Sequence, residues 1–270
     1  MKPVARLVRR HPLAAFFGLA YAVAWAFWPF GSFGAFAPLL AALIVAPITH
    51  GRGGLRELGA RLVRWRVGWP WWAVAVGVPL GVHALNAALV DVSGAGRPTT
   101  TVTAALLAFA VRLVNPTDGA LAEEPAWRGY AQPVAQGRGW TPLTTATVFG
   151  LLIAGWHLPL FFLEEGALHV DVLVNGLVTT MGVTYWYSWL FNRSGGSSLL
   201  TLVAHDVEGV IPADSWTYTM TWTALALALV IFDFRRWQAP ADPSAVSGHR
   251  IAAPAPAPGT HRDHSPNPSR

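Results

Sequence analysis

Long apolar runs dominate the sequence. They cover residues 13–30, 33–49, 69–90, 142–163, 170–191 and 215–234, and each is 17–22 residues long with few charges. A helix needs roughly 20 apolar residues to cross about 30 Å of hydrocarbon. Soluble core helices rarely come in such a series. The pattern therefore predicts an all-α fold, a polytopic membrane helix bundle.

Two further segments are apolar but interrupted. Residues 100–136 contain a polar, proline-containing break at 115–119, and we interpret the whole segment as one broken span that protein or a wet cavity shields from lipid. A pair of glycines at 195–196 predicts a tight turn into another span at about 197–211. With these two segments the bundle has about eight transmembrane helices.

The composition agrees with a membrane protein. The chain is 53% hydrophobic and 12% charged, whereas an ordinary soluble domain is about 25% charged. It contains no cysteine, which excludes disulfides, thiolate metal sites and cysteine nucleophiles. Residues 238–270 are rich in Pro, Ala, Ser and His without periodicity, so we expect a disordered tail after a bundle domain at residues 1–237.

Arginines flank the spans on one predicted side. That side holds the N-terminus, the 51–66 segment, Arg138, Arg193 and Arg235-Arg236. The other side is mostly acidic. The positive-inside rule then predicts a multi-pass protein of the cell membrane with both termini in the cytoplasm. Because this rule accounts for the net charge of +5, the basic character does not indicate nucleic acid as a partner.

One acidic pair lies in the second half of the broken span. A charge inside a span costs roughly 2.5–3.5 kcal/mol, so charges that persist there are paired or functional. Glu124 and Arg128 are four residues apart and can pair on one helix face, which leaves Glu123 to face a cavity. The alternative is a helix start at the membrane interface, where acidic residues stabilise the helix dipole.

Two histidines lie in otherwise apolar spans. His157 is deep in the run 142–163, although a lone histidine there is more often a packing residue that bonds to the carbonyl freed by Pro159. His205 shares a helix face with Glu208 three residues later, unless that span ends early and both lie at the interface. Together with the glutamates, these histidines can converge in the bundle core.

Such a convergence is compatible with two kinds of hydrolytic site. His157, His205 and Glu123 could ligate one divalent metal, zinc above all, with an open position for water. In a metal-free site a glutamate and a histidine would share the activation of water, and other polar side chains would stabilise the oxyanion. The residues alone leave both forms open.

The same residues carry a resemblance to a known family. The stretch 123–128 matches EExxxR, the first motif of the CAAX protease and bacteriocin-processing family (CPBP or Abi), also called type II CAAX prenyl endopeptidases. Its second motif resembles residues 155–161, Gly-Trp-His-Leu-Pro-Leu-Phe. Its third resembles Ala-His at 204–205. The three motifs follow the family's order across about residues 65–211.

The resemblance implies an intramembrane endopeptidase. Glu123 and His157 would activate water for attack on a peptide carbonyl, while Glu124, Arg128 and His205 would orient, ligate or stabilise. The implied substrate is a membrane-associated or lipidated peptide or protein. A prenylated substrate does not follow for a bacterial member.

Two positions depart from the family's pattern. The second motif usually reads FxxxH, but Ile153 stands four residues before His157. The third usually has Asn or Asp four residues after its histidine, where this chain has Gly209. Asp206 and Glu208 are the neighbouring side chains that could take over that role.

Two other classes of function stay open. A non-catalytic membrane partner or immunity-type protein of the same fold would tolerate the change at Gly209, and a proton-coupled transporter would use buried Glu and His as a relay. The helical rise places the candidate site near the bilayer midplane. Hydrolysis there needs water, so the enzyme hypothesis predicts a wet cavity lined by 115–119, Asp206 and Glu208.

Overall fold

The fold is all-α in the computed structural model, which describes residues 2–93, 101–117, 119–165, 169–211, 213 and 215–240; no strand occurs among them. The helices, in chain order, are α1 (Lys2–Arg10), α2 (Pro12–Trp25), α3 (Ala37–His50), α4 (Arg52–Leu62), α5 (Trp69–Ser93), α6 (Val102–Val114), α7 (Ala120–Ala126), α8 (Gln132–Gln136), α9 (Pro142–Trp156), α10 (Leu158–Glu165), α11 (Val170–Arg193), α12 (Ser198–Gly209), α13 (Trp216–Phe232) and α14 (Phe234–Gln238). A 3₁₀ turn at Trp28–Phe30 and a π-helical turn at Trp127–Ala131 are also present.

Several of these helices have the apolar composition of helices that lie in a membrane. Within the described residues, the helical segments long and apolar enough to cross a membrane are Pro12–Phe30, Trp69–Val90 and Pro142–Leu163. Shorter apolar helices accompany them at Ala37–His50, Val102–Val114 and Trp216–Phe232. The prediction of an all-α membrane helix bundle is therefore confirmed, and the number of eight spans stays a prediction.

Two clusters of buried side chains hold the bundle together. One joins α2, α3, α9 and the π-helical turn around Phe16, Trp127 and Trp156. The other joins α5, α11, α12 and α13 around Trp186 and Trp222. Helix α7 packs against α3 of the first cluster and α12 of the second. The predicted acidic pair on α7 thus lies where the two clusters meet.

Small residues let the helices approach closely. The contact between α2 and α3 is built on fully buried alanines, among them Ala20, Ala24, Ala41 and Ala42. In α11, a Cβ on Gly182 would lie 3.0 Å from the Cβ of a tryptophan in α13. In lipid the hydrophobic effect does not drive helices together, so close van der Waals packing of this kind stabilises the bundle.

Two predicted interruptions of the chain are confirmed. The chain turns at Gly119 between α6 and α7, with a φ of 73° that suits glycine. It turns again at Gly195 and Gly196, with φ of 71° and 80°. Ser197 then caps α12, because its hydroxyl accepts a hydrogen bond from the N–H of Leu200 at 3.2 Å. These turns set the starts of the two helices that carry the glutamates and His205.

The structure differs from the sequence prediction in two elements. The 51–66 segment, predicted as a basic connection, contains the helix α4. The predicted span at 142–163 is present as one helical segment, but a local break at His157 divides it into α9, which ends at Trp156, and α10, which begins at Leu158. Pro159 lies in the first turn of α10, where its missing N–H costs no hydrogen bond. Most of the predicted tail, 241–270, lies outside the described residues.

Arginines predicted to share one side of the membrane contact common partners. Arg138 donates to two carbonyl oxygens at the end of α1, each at 3.3 Å. Arg193 and Arg236 both pair with Asp233, at 3.7 and 3.5 Å. The contacts agree with the predicted grouping, and the orientation of the termini stays a prediction.

Candidate active site

Glu124 is the centre of a buried polar cluster. Its Oε1 accepts hydrogen bonds from Arg128 Nη1 at 2.9 Å and from His205 Nδ1 at 3.1 Å. The side chain is fully buried, and its second oxygen has no hydrogen-bond partner among the described residues. A guanidinium and a ring N–H together stabilise a carboxylate that has left water. Glu124 therefore joins α7 to α12 and orients the ring of His205.

Arg128 lies in the π-helical turn that follows α7. Pro125 has no N–H to donate within the helix, and beyond it the N–H of Gln132 donates to the carbonyl of Trp127, five residues back. The Arg128 guanidinium lies 5.1 Å from the ring of Tyr187 and donates to a carbonyl of α11 at 3.5 Å. Contacts on both α7 and α11 hold this charge in place.

Glu123 has a different environment from its neighbour. Its Oε2 accepts a hydrogen bond from Trp127 Nε1 at 3.2 Å, and its surface is 7% exposed. The ion pair with Arg128 belongs to Glu124, as the spacing of four residues predicts. The carboxylate of Glu123 is thus bonded to a neutral indole N–H, whereas that of Glu124 is bonded to a cation.

His157 lies at the break between α9 and α10. Its Nδ1 bonds to the carbonyl oxygen of Ile153 at 2.9 Å, not to the carbonyl that Pro159 frees. A carbonyl can only accept, so Nδ1 carries the proton and Nε2 is unprotonated in the neutral ring. The ring packs edge-on against Trp156 at 4.7 Å and is stacked with Phe33 at 6.4 Å. Because the acceptor is backbone, the family's phenylalanine is not required at residue 153 for this bond.

His205 has the same protonation pattern. Its Nδ1 bonds to the carboxylate of Glu124, which favours a proton on Nδ1 and leaves Nε2 unprotonated in the neutral ring. The ring stacks on Tyr187 with centroids 5.3 Å apart and planes 15° apart. Tyr187 therefore contacts both His205 and the guanidinium of Arg128.

All five predicted site residues line one cavity of about 160 Å³. They come from α7, the π-helical turn, the α9–α10 break and α12. The complete lining is Glu123, Glu124, Arg128, Ile153, His157, Thr179, Thr180, Val183, Thr184, Tyr187, His205 and Glu208. A volume of this size holds several water molecules. The predicted convergence of glutamates and histidines is present in the structure.

The predicted lining of this cavity is only partly right. Glu208 is a lining residue, and its Oε1 accepts a hydrogen bond from Tyr218 Oη at 2.5 Å. Asp206 is not, because its buried carboxylate pairs with Arg112 of α6 at 3.1 Å. The described residues of the 115–119 break do not line the cavity either. Successive side chains on a helix point about 100° apart, so Asp206 cannot share the helix face of His205 and Glu208.

The predicted ligands of a metal ion are His157, His205 and Glu123. In the part of the chain that the structure describes, no three His, Asp or Glu side chains are grouped closely enough to hold a metal ion. Glu124 already bonds to His205 Nδ1, whereas Glu123 and the two Nε2 atoms are the ligands that zinc would need. The described side chains, as they stand, therefore do not form a metal site.

Sequence reasoning missed the polar face of α11. Thr180, Thr184 and Tyr187 line the cavity, and their spacing of four and three residues places them on one face of an otherwise apolar helix. That periodic polar stripe is visible in the sequence and could have identified the helix as a wall of the site. The hydroxyl of Tyr187 is buried without a hydrogen-bond partner among the described residues.

Comparison with known proteins identifies a family for the part of the chain that contains these residues. Residues 98–207 match a family model described as type II CAAX prenyl endopeptidase Rce1-like. This match includes the five predicted site residues and confirms the resemblance inferred from the three motifs. At the level of the family, it supports a CAAX-type endopeptidase acting on a peptide or protein substrate at the membrane. No curated protein matches the chain significantly.

Proposed function

We propose that the protein is an intramembrane endopeptidase in which Glu123 and His157 activate a water molecule for attack on a peptide bond. The observation that carries this proposal is the single cavity lined by both residues together with Glu124, Arg128 and His205. The family match supports peptidase activity, and the assignment of roles rests on the contacts below.

Glu123 and His157 are suited to bind one water. The carboxylate of Glu123 is held by an indole N–H and can accept a proton. The ring of His157 donates from Nδ1 to a carbonyl, so its Nε2 can accept a hydrogen bond from the same water. Two acceptors on one water raise the electron density on its oxygen, which favours attack on a carbonyl carbon.

The reaction then needs no group from outside the cavity. As the water oxygen forms a bond to the carbonyl carbon, Glu123 takes one proton, and the carbonyl oxygen becomes an oxyanion. When this intermediate collapses, the C–N bond breaks and the amine leaves with the proton from Glu123. The products are a carboxylic acid and an amine, and Glu123 is again a carboxylate.

Tyr187 is the side chain that we assign to the oxyanion. It lines the cavity, and its buried hydroxyl has no partner among the described residues. A donor that is already placed before the reaction stabilises charge as it develops. This assignment gives a role to a donor other than the Asn or Asp that the family usually has at the position of Gly209.

Glu124, Arg128 and His205 act as positioning residues. Arg128 compensates the charge of Glu124, and Glu124 fixes the ring of His205. A buried carboxylate without its cation is costly, so the three side chains depend on one another. We expect changes among them to reduce stability as well as activity.

The test is peptide hydrolysis by the protein reconstituted in liposomes. The probes are membrane-anchored, fluorescence-quenched peptides with and without a C-terminal prenylcysteine. Glu123→Gln and His157→Ala should each lower kcat by about 10²–10⁴-fold, the usual contribution of general acid–base catalysis. The double variant should be no slower than the slower single variant, because members of one catalytic unit are not additive.

Matched controls are Asp171→Asn and His11→Ala, which change an exposed acidic residue and an exposed histidine outside this cavity. Both should retain wild-type rates, and all variants should give the wild-type profile in size-exclusion chromatography. Hydrolysis that survives Glu123→Gln or His157→Ala would exclude the proposed roles. Absence of hydrolysis by the wild type on every probe would favour a non-catalytic partner protein.

A metal requirement is tested separately. Zinc stays a prediction with His157, His205 and Glu123 as its ligands. Chelator treatment that stops hydrolysis, with recovery on addition of Zn²⁺, would support it. Full activity in chelator, with less than one equivalent of metal by elemental analysis, would support the metal-free form.

A proton-coupled transporter is the second candidate, and one observation favours it. Glu208 connects the cavity to α5 and α13, since its carboxylate accepts from Tyr218 and its carbonyl accepts from His83 Nε2 at 2.8 Å. Of these contacts, the one between the Tyr218 hydroxyl and the Glu208 carboxylate could pass a proton to the cavity. Tyr218→Phe should abolish pH-driven transport if the relay is used, whereas the enzyme proposal predicts little change in hydrolysis.

A further inference from the structure

A second cavity, separate from the catalytic one, lies among α1, α3, α4 and α8. Its volume is about 410 Å³, and it shares no lining residue with the first. The lining residues are Arg9, Pro12, Thr49, His50, Gly54, Glu57, Arg61, Tyr130, Pro133, Val134, Gly137 and Arg138. Neither the proposed peptidase reaction nor the three family motifs involve this cavity.

Its charge is positive. Three arginines, Arg9, Arg61 and Arg138, line the cavity together with His50. The only carboxylate in the lining is Glu57, which pairs with Arg61 at 3.3 Å and has a side chain that is 42% exposed. After that pair is counted, two guanidinium groups remain uncompensated by any acid in the lining. The cavity therefore attracts an anion.

The arginines are positioned before any ligand binds. Arg9 Nε donates to the carbonyl of Ile48 at 2.8 Å, and Arg61 Nη1 donates to that of Gly129 at 2.9 Å. Arg138 donates to two carbonyls that end α1. A guanidinium has five N–H donors in a planar fork, so the bonds of Arg9 and Arg138 fix these two groups and leave further donors for a ligand. Planar forks of this kind match the oxygens of a phosphate.

The surroundings of the cavity indicate the level of the lipid headgroups. Helix α1 combines four basic residues with exposed apolar side chains, Val4 at 65% and Leu7 at 63%. An amphipathic basic helix of this type lies in the membrane interface. Just beyond α4, Trp65 and Trp69 are 60% and 78% exposed, as in the aromatic belt of a membrane protein.

We propose that this cavity binds the phosphate group of an anionic phospholipid, with Arg9 and Arg138 as its ligands and the acyl chains extending along the exposed apolar side of α1. Basic pockets between helices at the membrane surface recognise such headgroups. The choice of a lipid over a free phosphate rests on the interfacial position of α1 and of the tryptophans. The site is independent of the proposed hydrolysis.

The experiment titrates the full-length protein in neutral detergent with phosphatidylglycerol, with phosphatidylcholine or with inorganic phosphate. The midpoint of thermal unfolding reports binding, because a ligand of the folded state raises it. Phosphatidylglycerol should raise the midpoint at concentrations where the other two do not. Arg9→Gln with Arg138→Gln should weaken the apparent Kd for phosphatidylglycerol about 30-fold, or about fivefold for each arginine at a membrane surface.

The matched control is Arg6→Gln with Arg56→Gln, which removes two exposed arginines of α1 and α4 that do not line the cavity. It should keep the wild-type Kd within about threefold. Arg9→Lys with Arg138→Lys keeps the charge but not the planar fork, so its loss of affinity should be smaller than that of the glutamine pair. If the glutamine pair fails to fold, Arg9→Gln alone replaces it, with an expected loss of about fivefold.

Four results would overturn the proposal. An equal shift of the unfolding midpoint by phosphatidylcholine would show that the cavity does not recognise the charge of the headgroup. An equal shift by inorganic phosphate would identify a free-phosphate site. A control pair as weak as the cavity pair would assign the effect to general surface charge. Equal losses in the glutamine and lysine pairs would show that the arginines act through structure alone.

Discussion

Arg112 occupies the space in which a side chain on Gly209 would begin. A Cβ built on Gly209 would lie 2.5 Å from Arg112 Nη2, and the ion pair with Asp206 at 3.1 Å keeps the guanidinium there. The family usually places Asn or Asp at this position of the third motif. In this chain an arginine from α6 fills the space, and a glycine at residue 209 leaves room for it.

The first prediction concerns this contact. Gly209→Ala should lower the free energy of unfolding by about 1–3 kcal/mol, the usual cost of overpacking, because the new methyl group pushes Arg112 away from the buried Asp206. Thermal or denaturant unfolding in detergent measures the change. Gly18→Ala is the matched control, since Gly18 is also helical and has nothing within 4 Å of a built Cβ. A loss of equal size in both variants would contradict the proposed clash.

A second prediction concerns the buried pair of Glu124 and Arg128. Arg128→Gln should lower the free energy of unfolding by about 3–5 kcal/mol, because it leaves the carboxylate of Glu124 buried without its cation. The double variant with Glu124→Gln should be more stable than Arg128→Gln alone, since no charge is then left unpaired. A double variant that shows the full sum of both single losses would contradict this coupling.

A third prediction tests the proposed oxyanion donor. Tyr187→Phe keeps the ring that contacts His205 and Arg128 and removes only the hydroxyl. We expect kcat to fall about 10²–10³-fold, the usual effect of losing one such donor, with little change in KM. Tyr185→Phe is the matched control on the same helix, because its hydroxyl bonds to Thr147 instead of lining the cavity. A normal kcat in Tyr187→Phe would remove this residue from the mechanism.

The last prediction concerns topology. Reporter fusions after residue 95 and after residue 240 should report opposite sides of the membrane, with residue 240 in the cytoplasm. The physical reason is the excess of arginine on one set of connections, which disfavours their transfer across the membrane. Each position is fused to one reporter that is active only in the cytoplasm and to another that is active only outside it. Equal signals at both positions would contradict the assignment.

The helical content was predictable because burial in lipid leaves the backbone few alternatives. Apolar runs of about 20 residues must form helices, since an unpaired N–H or C=O is too costly in hydrocarbon. The EExxxR spacing likewise predicted the pair between Glu124 and Arg128, because residues four apart meet on any helix. Local geometry was enough in both cases.

The break at His157 and the helix α4 were not predictable in the same way. An apolar run gives no sign of where a helix is interrupted, and α9 ends at a histidine whose ring bonds to its own preceding turn. Helix α4 is shorter than a span and rich in arginine and glycine. Its buried contacts depend on where α3 and the π-helical turn lie, which the sequence does not show.

The sequence by itself determined the class of fold, the family resemblance and the identity of the residues that converge, because charges in a membrane interior persist only where they are paired or used. Tertiary structure alone decided their partners. It assigned Glu124, not Glu123, to His205, and it brought Tyr187 to the cavity. It also placed Asp206 in an ion pair with Arg112, outside the cavity. These outcomes depend on how helices distant in sequence rotate and pack, and periodicity within one helix does not specify that.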